Sequence, residues 1–268
     1  MTRSATLART VRFTLPCSRP SAETLSSART NTHSGWPSAL TEATATWTVK
    51  VEVTGNPDPR TGYLVGIDRI DAAVRKHAIP DLLERAQRGP QTVQMALTAI
   101  AKKLEQHLVP PPSAIDLDTE AMTSWRLELS EMSQMIIRRR YEFSAAHRLA
   151  LPDLSDAENA ELYGKCSNPH GHGHNYEVEV DVAIEPADGG FSVPQLDETV
   201  NRLVIDRFDH QHLNLDIDDF ADRIPSVENI ADRCVELLET PLQGLEGVQH
   251  LRSVTVWETP RTSCTVTA

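Results

Sequence analysis

The densest chemical signal in the chain is the run Cys166-Ser-Asn-Pro-His170-Gly-His172-Gly-His174-Asn-Tyr176. On an extended strand, residues two apart point to the same side, with Cα atoms roughly 7 Å apart. His172 and His174 can therefore offer two imidazoles to one ion, and the glycines between them let backbone and metal approach. His147 ends a separate alternating segment, 141–147, and a neighbouring strand lies about 5 Å away. A third imidazole from there completes a three-histidine site whose open position takes water or substrate, the pattern of a catalytic zinc ion. His170 competes for a ligand place and is read here as a surface or supporting residue.

Three further residue types add chemistry. Cys166 lies in a loop beside Lys165, Ser167 and Asn168. It reads either as a metal thiolate or as a base or nucleophile whose pKa a nearby cation lowers. His210 can take its proton and Asp209 can orient that imidazole, provided a turn or helix end brings the adjacent pair round; His212 is the competing histidine. Glu258 follows Val254 and Val256 on one face of an alternating strand. A carboxylate on an apolar face suits a paired hydrogen bond to a planar N–H/NH₂ edge, such as that of a pterin or guanine. Cys17 and Cys234 read as structural and Cys264 as incidental.

The elements that must hold these residues are legible as an α+β order. Alternation over 174–184 puts Tyr176, Val178, Val180, Val182 and Ile184 on one face. Residues 195–207 read as a helix, and Ser226 caps another over about 227–239. Residues 251–257 return to alternation, Gly189-Gly190 supplies a turn, and 151–163 reads as a loop over the site. In the first half 91–107 is a helix, terminated by Pro110-Pro111-Pro112, and 18–45 reads as a mobile loop.

Charge separates two halves. Residues 1–137 hold 15 basic and 14 acidic side chains, and 138–268 hold 11 and 24, so a net of +1 meets a net of −13. Internal similarity gives the same boundary. VRFTLPC (11–17) parallels YEFSAAH (141–147), the stretch 46–74 parallels 175–200, and SWRLEL (124–129) parallels VTVWET (254–259), at offsets near 128–130. A nearly constant offset implies two copies of one unit, 1–137 and 138–268, each β-β-α-α-β-β. The first lacks the histidines: Cys17 stands opposite His147, and about Ala43 and Ala45 opposite His172 and His174. Glu128 falls opposite Glu258.

A net charge of −12 argues against nucleic acid or an anionic membrane as partner, and no apolar run reaches 18 residues. Four scattered cysteines and an N-terminal stretch without a long apolar segment read as cytoplasmic.

FSAAHRL (143–149), CSNPHGHGHNY (166–176), FDHQHLN (208–214), PSVENIA (225–231) and VTVWET (254–259) together resemble the 6-pyruvoyl-tetrahydropterin synthase family, which includes the 6-carboxy-tetrahydropterin synthases of queuosine biosynthesis. The resemblance covers 138–260. It implies a tunnelling fold, a four-stranded antiparallel sheet carrying two helices, three such units closing a β-barrel and two barrels stacking. With two copies per chain, a homotrimer would make a pseudo-hexamer. The resemblance makes His147, His172 and His174 zinc ligands, Cys166 the catalytic cysteine, Asp209 and His210 its activating pair, and Glu258 the pterin anchor. It implies a lyase that removes side-chain protons from 7,8-dihydroneopterin triphosphate to give 6-pyruvoyl- or 6-carboxy-tetrahydropterin. The pattern Cys-x5-His-x-His, using 172 and 174, looks like pyruvoyl-forming members; Cys-x3-His-Gly-His, using 170 and 172, looks like carboxy-forming ones. Arg138–Arg140, Arg148 and Lys165 are candidates for the phosphates. Two other readings fit the residues: a metalloenzyme of the same fold acting on another pterin or purine-like substrate, and a non-enzymatic metal- or pterin-binding assembly protein.

Overall fold

A computed structural model describes residues 4–16, 44–88, 92–129, 134–185 and 190–268. Cys17, Ala43, Gly189 and most of the expected 18–45 loop lie outside the described residues. The chain divides into two compact units, one up to Ile137 and one from Arg138 on.

The first unit is built on strands β1 (Ala5–Pro16), β2 (Thr44–Gly55), β3 (Ala114–Glu120) and β4 (Thr123–Glu128), each antiparallel to the next. Val11, Val49, Leu117 and Trp125 line up across all four and are buried. Helix α1 (Ile67–Ala73) runs through one π-helical turn, Val74–Ala78, into α2 (Ile79–Arg88). Helix α3 (Val93–His107) starts at Thr92, whose hydroxyl accepts the Met95 N–H, and buries Ala96, Leu97, Ile100, Ala101 and Leu104, the stripe a 3.6-residue period demands. Arg9 on β1 donates through Nε and Nη2 to the two oxygens of Asp71 on α1, at 2.8 and 2.7 Å.

The second unit has strands β5 (Gln134–His147), β6 (His172–Ile184), β8 (Val248–Thr259) and β9 (Thr262–Thr267) in that spatial order. A two-residue strand β7 (Gln211–His212) lies parallel to β5 at Ala145 and Ala146. Tyr176, Val178, Val180 and Val182 on β6 are fully buried beside Val254 and Val256 on β8. Helix α4 (Asp156–Tyr163) precedes β6, while α5 (Val193–Val200), a π-helical turn Asn201–Ile205 and the short α6 (Asp206–Phe208) follow it. Helix α7 (Val227–Gln243) is capped by Ser226 and buries Ile230, Ala231, Cys234, Leu238 and Leu242. Arg139 on β5 grips Asp197 on α5 through Nε and Nη2, both at 2.8 Å.

Two expectations are corrected here. Residues 156–163 are helical, not a loop: Ser155 and Glu158 form a reciprocal capping box, and buried Asn159 ties the turn before it. The match of 124–129 with 254–259 also fails. Val49 pairs with Leu117 and Val178 with Val256, so β3 lies next to β2 as β8 lies next to β6. Two residues beyond Leu117 stands Thr119, and two beyond Val256 stands Glu258. Glu128 lies on β4 and is bonded by Arg126 at 3.3 Å. Among the described helices none is long and apolar enough to cross a membrane.

Candidate metal centre and its surroundings

Each imidazole of the cluster is delivered by strand alternation. His147 ends β5 on the face of Phe143 and Ala145; His172 and His174 open β6 on the face of Tyr176. One ligand atom from each of the three lies within 4.8 Å of the others. His147 Nε2 and His172 Nε2 are 3.1 Å apart.

His147 is completely buried, and its Nδ1 stands 2.7 Å from the carbonyl oxygen of Pro225. A carbonyl only accepts, so Nδ1 carries the proton and Nε2 turns its lone pair to the cluster. Burial pushes the His147 pKa down to about 4, with the neighbouring histidines adding to it, so the ring is neutral near pH 7. His172 is shifted down as well, by burial and then by His174. His172 Nδ1 and His174 Nε2 are buried without a hydrogen-bond partner. The neutral His147 ring, its lone pair turned to the cluster, and the orphaned nitrogens of His172 and His174 are what a divalent cation with imidazole preference satisfies, so this donor set fits one. Among the described residues it is the group of His, Cys, Asp and Glu so placed.

Glu258 stands against the cluster, with Oε1 3.4 Å from His147 Nε2 and 3.5 Å from His174 Nε2. Cys166 sits half-buried on the 3₁₀ turn Gly164–Ser167, and its carbonyl accepts the Leu149 N–H at 2.9 Å, fastening the turn just beyond His147. Burial, and then the Glu258 charge, raise the thiol pKa. This is opposite to the lowering expected from sequence, because burial and the Glu258 carboxylate both disfavour the thiolate; a cation held by the histidines would act in the other direction.

Asp209 and His210 pair at the end of α6, as a helix end allows: His210 Nδ1 is 2.7 Å from Asp209 Oδ2, and Asp209 Oδ1 accepts the Ser144 N–H at 2.8 Å. The pair lies at the edge of β5 with the His210 ring exposed, and it forms no hydrogen bond to Cys166. His170 is exposed and outside the cluster. His212 sits on β7, its Nε2 close enough to Gly171 that a Cβ there would come within 2.8 Å. Of the expected phosphate contacts, Arg138, Arg139, Arg140 and Arg148 are engaged by Asp181, Asp197, Glu177 with Glu179, and Asp156; Lys165 is exposed.

Sequence reasoning missed three groups. The Pro225 carbonyl is backbone and has no side-chain signature. Tyr176, counted as core, also places its hydroxyl 3.3 Å from His147 Nδ1. Ser144 looked like an ordinary strand residue.

Three convergent imidazoles, a carboxylate against them and a thiol within electrostatic reach of that carboxylate form a candidate site on an α+β unit with an antiparallel sheet. The family model for 6-pyruvoyl tetrahydropterin synthase matches residues 136–268. A 6-pyruvoyl tetrahydrobiopterin synthase of Drosophila melanogaster is 38% identical over 136 residues, 50% of this chain and 79% of that protein. The Homo sapiens protein of the same name is 40% identical over 129 residues, 47% of this chain and 86% of its own length. The structure of Caenorhabditis elegans 6-pyruvoyl tetrahydropterin synthase aligns at 34% identity with a TM-score of 0.44, covering 51% of this chain and 97% of that one. The chain belongs to the 6-pyruvoyl tetrahydropterin synthase family and is a lyase of that kind.

Proposed function

We propose that the second unit, 138–268, is a zinc-dependent lyase converting 7,8-dihydroneopterin triphosphate to 6-pyruvoyl-tetrahydropterin. The observation that carries this is the convergence of His147, His172 and His174 beside Cys166 and Glu258. The use of 172 and 174, with His170 exposed, leaves the longer cysteine-to-histidine spacing and supports the pyruvoyl product over the 6-carboxy one.

Bound zinc supplies Lewis acidity, which makes protons beside side-chain hydroxyls easier to remove. The protein's own groups do the rest. Pro225 holds the His147 ring so that Nε2 stays a donor atom. Cys166 accepts and returns a proton beside the cluster. Asp209 fixes the His210 ring through Nδ1, leaving Nε2 for proton transfer. Glu258 takes the planar N–H/NH₂ edge of the pterin.

The first unit is proposed to be a duplicate that has lost the chemistry. Its support is structural as well as sequential: the strand–helix clamp Arg9–Asp71 repeats as Arg139–Asp197, the π-helical turn 74–78 repeats as 201–205, and Thr119 stands where the second unit has Glu258. Three chains would then supply six units, so a cytoplasmic homotrimer, or a multiple of it, is the proposed assembly.

The deciding experiment incubates zinc-loaded protein with 7,8-dihydroneopterin triphosphate and identifies products by mass. The expected outcome is free triphosphate with 6-pyruvoyl-tetrahydropterin. Loss of the side chain to 6-carboxy-tetrahydropterin would reassign the product, and intact substrate would overturn the reading.

A further inference from the structure

Among the described residues other than glycine, His210 is the one with left-handed backbone, φ +57°. A residue with a Cβ is disfavoured there. Its side chain is 83% exposed, so packing does not hold it. Such a conformation persists where its surroundings over-determine it, and hydrogen bonds supply the determination here.

They converge on Ser144 of β5. The Ser144 N–H donates to Asp209 Oδ1 at 2.8 Å, and its carbonyl accepts the His210 N–H at 2.6 Å. Its hydroxyl donates to Asn175 Oδ1 at 2.7 Å, on β6 between His174 and Tyr176. The next bonds continue the same seam. Leu213 N–H reaches the Ala146 carbonyl at 2.8 Å, and the Asn214 side chain closes on both main-chain groups of Arg148 at 2.8 and 3.0 Å.

Any residue at 144 could make the two main-chain bonds. The hydroxyl adds a side-chain bond to the β5–β6 ladder beside a candidate ligand, which an alanine there would lack. We infer that Ser144, through Asn175, is a positioning residue that fixes the Asp209–His210 pair relative to the histidine-bearing strands. This rests on the proton-transfer role given to that pair above.

The test uses the zinc-loaded full chain. Ser144→Ala should keep zinc stoichiometry and KM, lower kcat about tenfold, and speed amide exchange at His210 by a similar factor. Ser144→Thr, which keeps the hydroxyl and suits a strand, should restore both. Asn175→Ala should mimic Ser144→Ala, and the double variant should add little. Unchanged kcat and unchanged exchange in Ser144→Ala would overturn the inference. So would loss of zinc and activity together without rescue by threonine, which marks a merely structural role. Faster His210 exchange with unchanged kcat would uphold the clamp and instead sink the catalytic reading of the pair.

Discussion

Cys234 and Cys166 carry the same group in opposite settings. Cys234 sits fully buried in the apolar stripe of α7, and burial pushes its pKa up from 9.0 to about 12. The folded protein therefore keeps a proton that the unfolded chain gives up above pH 9. The stabilisation is complete below pH 9 and is lost as pH rises through 12, at about 1.4 kcal/mol per pH unit. Urea unfolding at pH 8.5 and 10.5 should show the natural protein losing about 2 kcal/mol more than Cys234→Ala over that interval; equal losses would refute it. Burial also raises the Tyr141 phenol, which adds the same sign further up the pH scale. Residues were legible where type and spacing coincide, as in His172 and His174. They were illegible where the partner is main chain, as for His147 with Pro225, or where the outcome depends on which charge comes near, as for the Cys166 thiol and the paired arginines.

At the scale of elements, α7 and β6 could be read because each has one buried face and one regular period. Helix α4 could not. Asn159 is its one buried residue and Leu162 is 58% exposed, so no apolar stripe announces it. Its signal was the Ser155/Glu158 cap, not periodicity. The β4-for-β8 confusion has the same origin: a period of two marks a strand but does not say which neighbour it pairs with. The α4 account gives an ordering of costs. Ser155→Ala removes one cap, about 1 kcal/mol. Asn159→Ala unpairs the Leu151 N–H and the Leu154 carbonyl, takes a second donor from the Leu151 and Ser155 carbonyls, and should cost roughly 2–3 kcal/mol. Amide exchange across 151–163 and the melting temperature should both rank Asn159→Ala as the more damaging change. The reverse order would mean that α4 is held by its cap instead of by the buried amide.

For the whole molecule, the sequence offset between 11–74 and 141–200 pointed to two related units, and the two units of the chain differ where a metal ion would act. The second brings three imidazoles together; in the first, no His, Cys, Asp or Glu trio is gathered among the described residues. An ion that binds only the folded state stabilises by RT ln(1 + [L]/Kd), about 2.7 kcal/mol at a hundredfold excess over Kd. That gain belongs to the unit that holds the ion. Stripping zinc with a chelator should therefore raise amide exchange in β5, in the Gly164–Ser167 turn and at the start of β6, and leave β2, α3 and β3 of the first unit unchanged. Metal analysis should give one zinc per chain, falling to none when His147 and His174 are both replaced by alanine. Two ions per chain, or equal loss of protection in both units, would mean that the first unit also holds metal and has kept more than the fold.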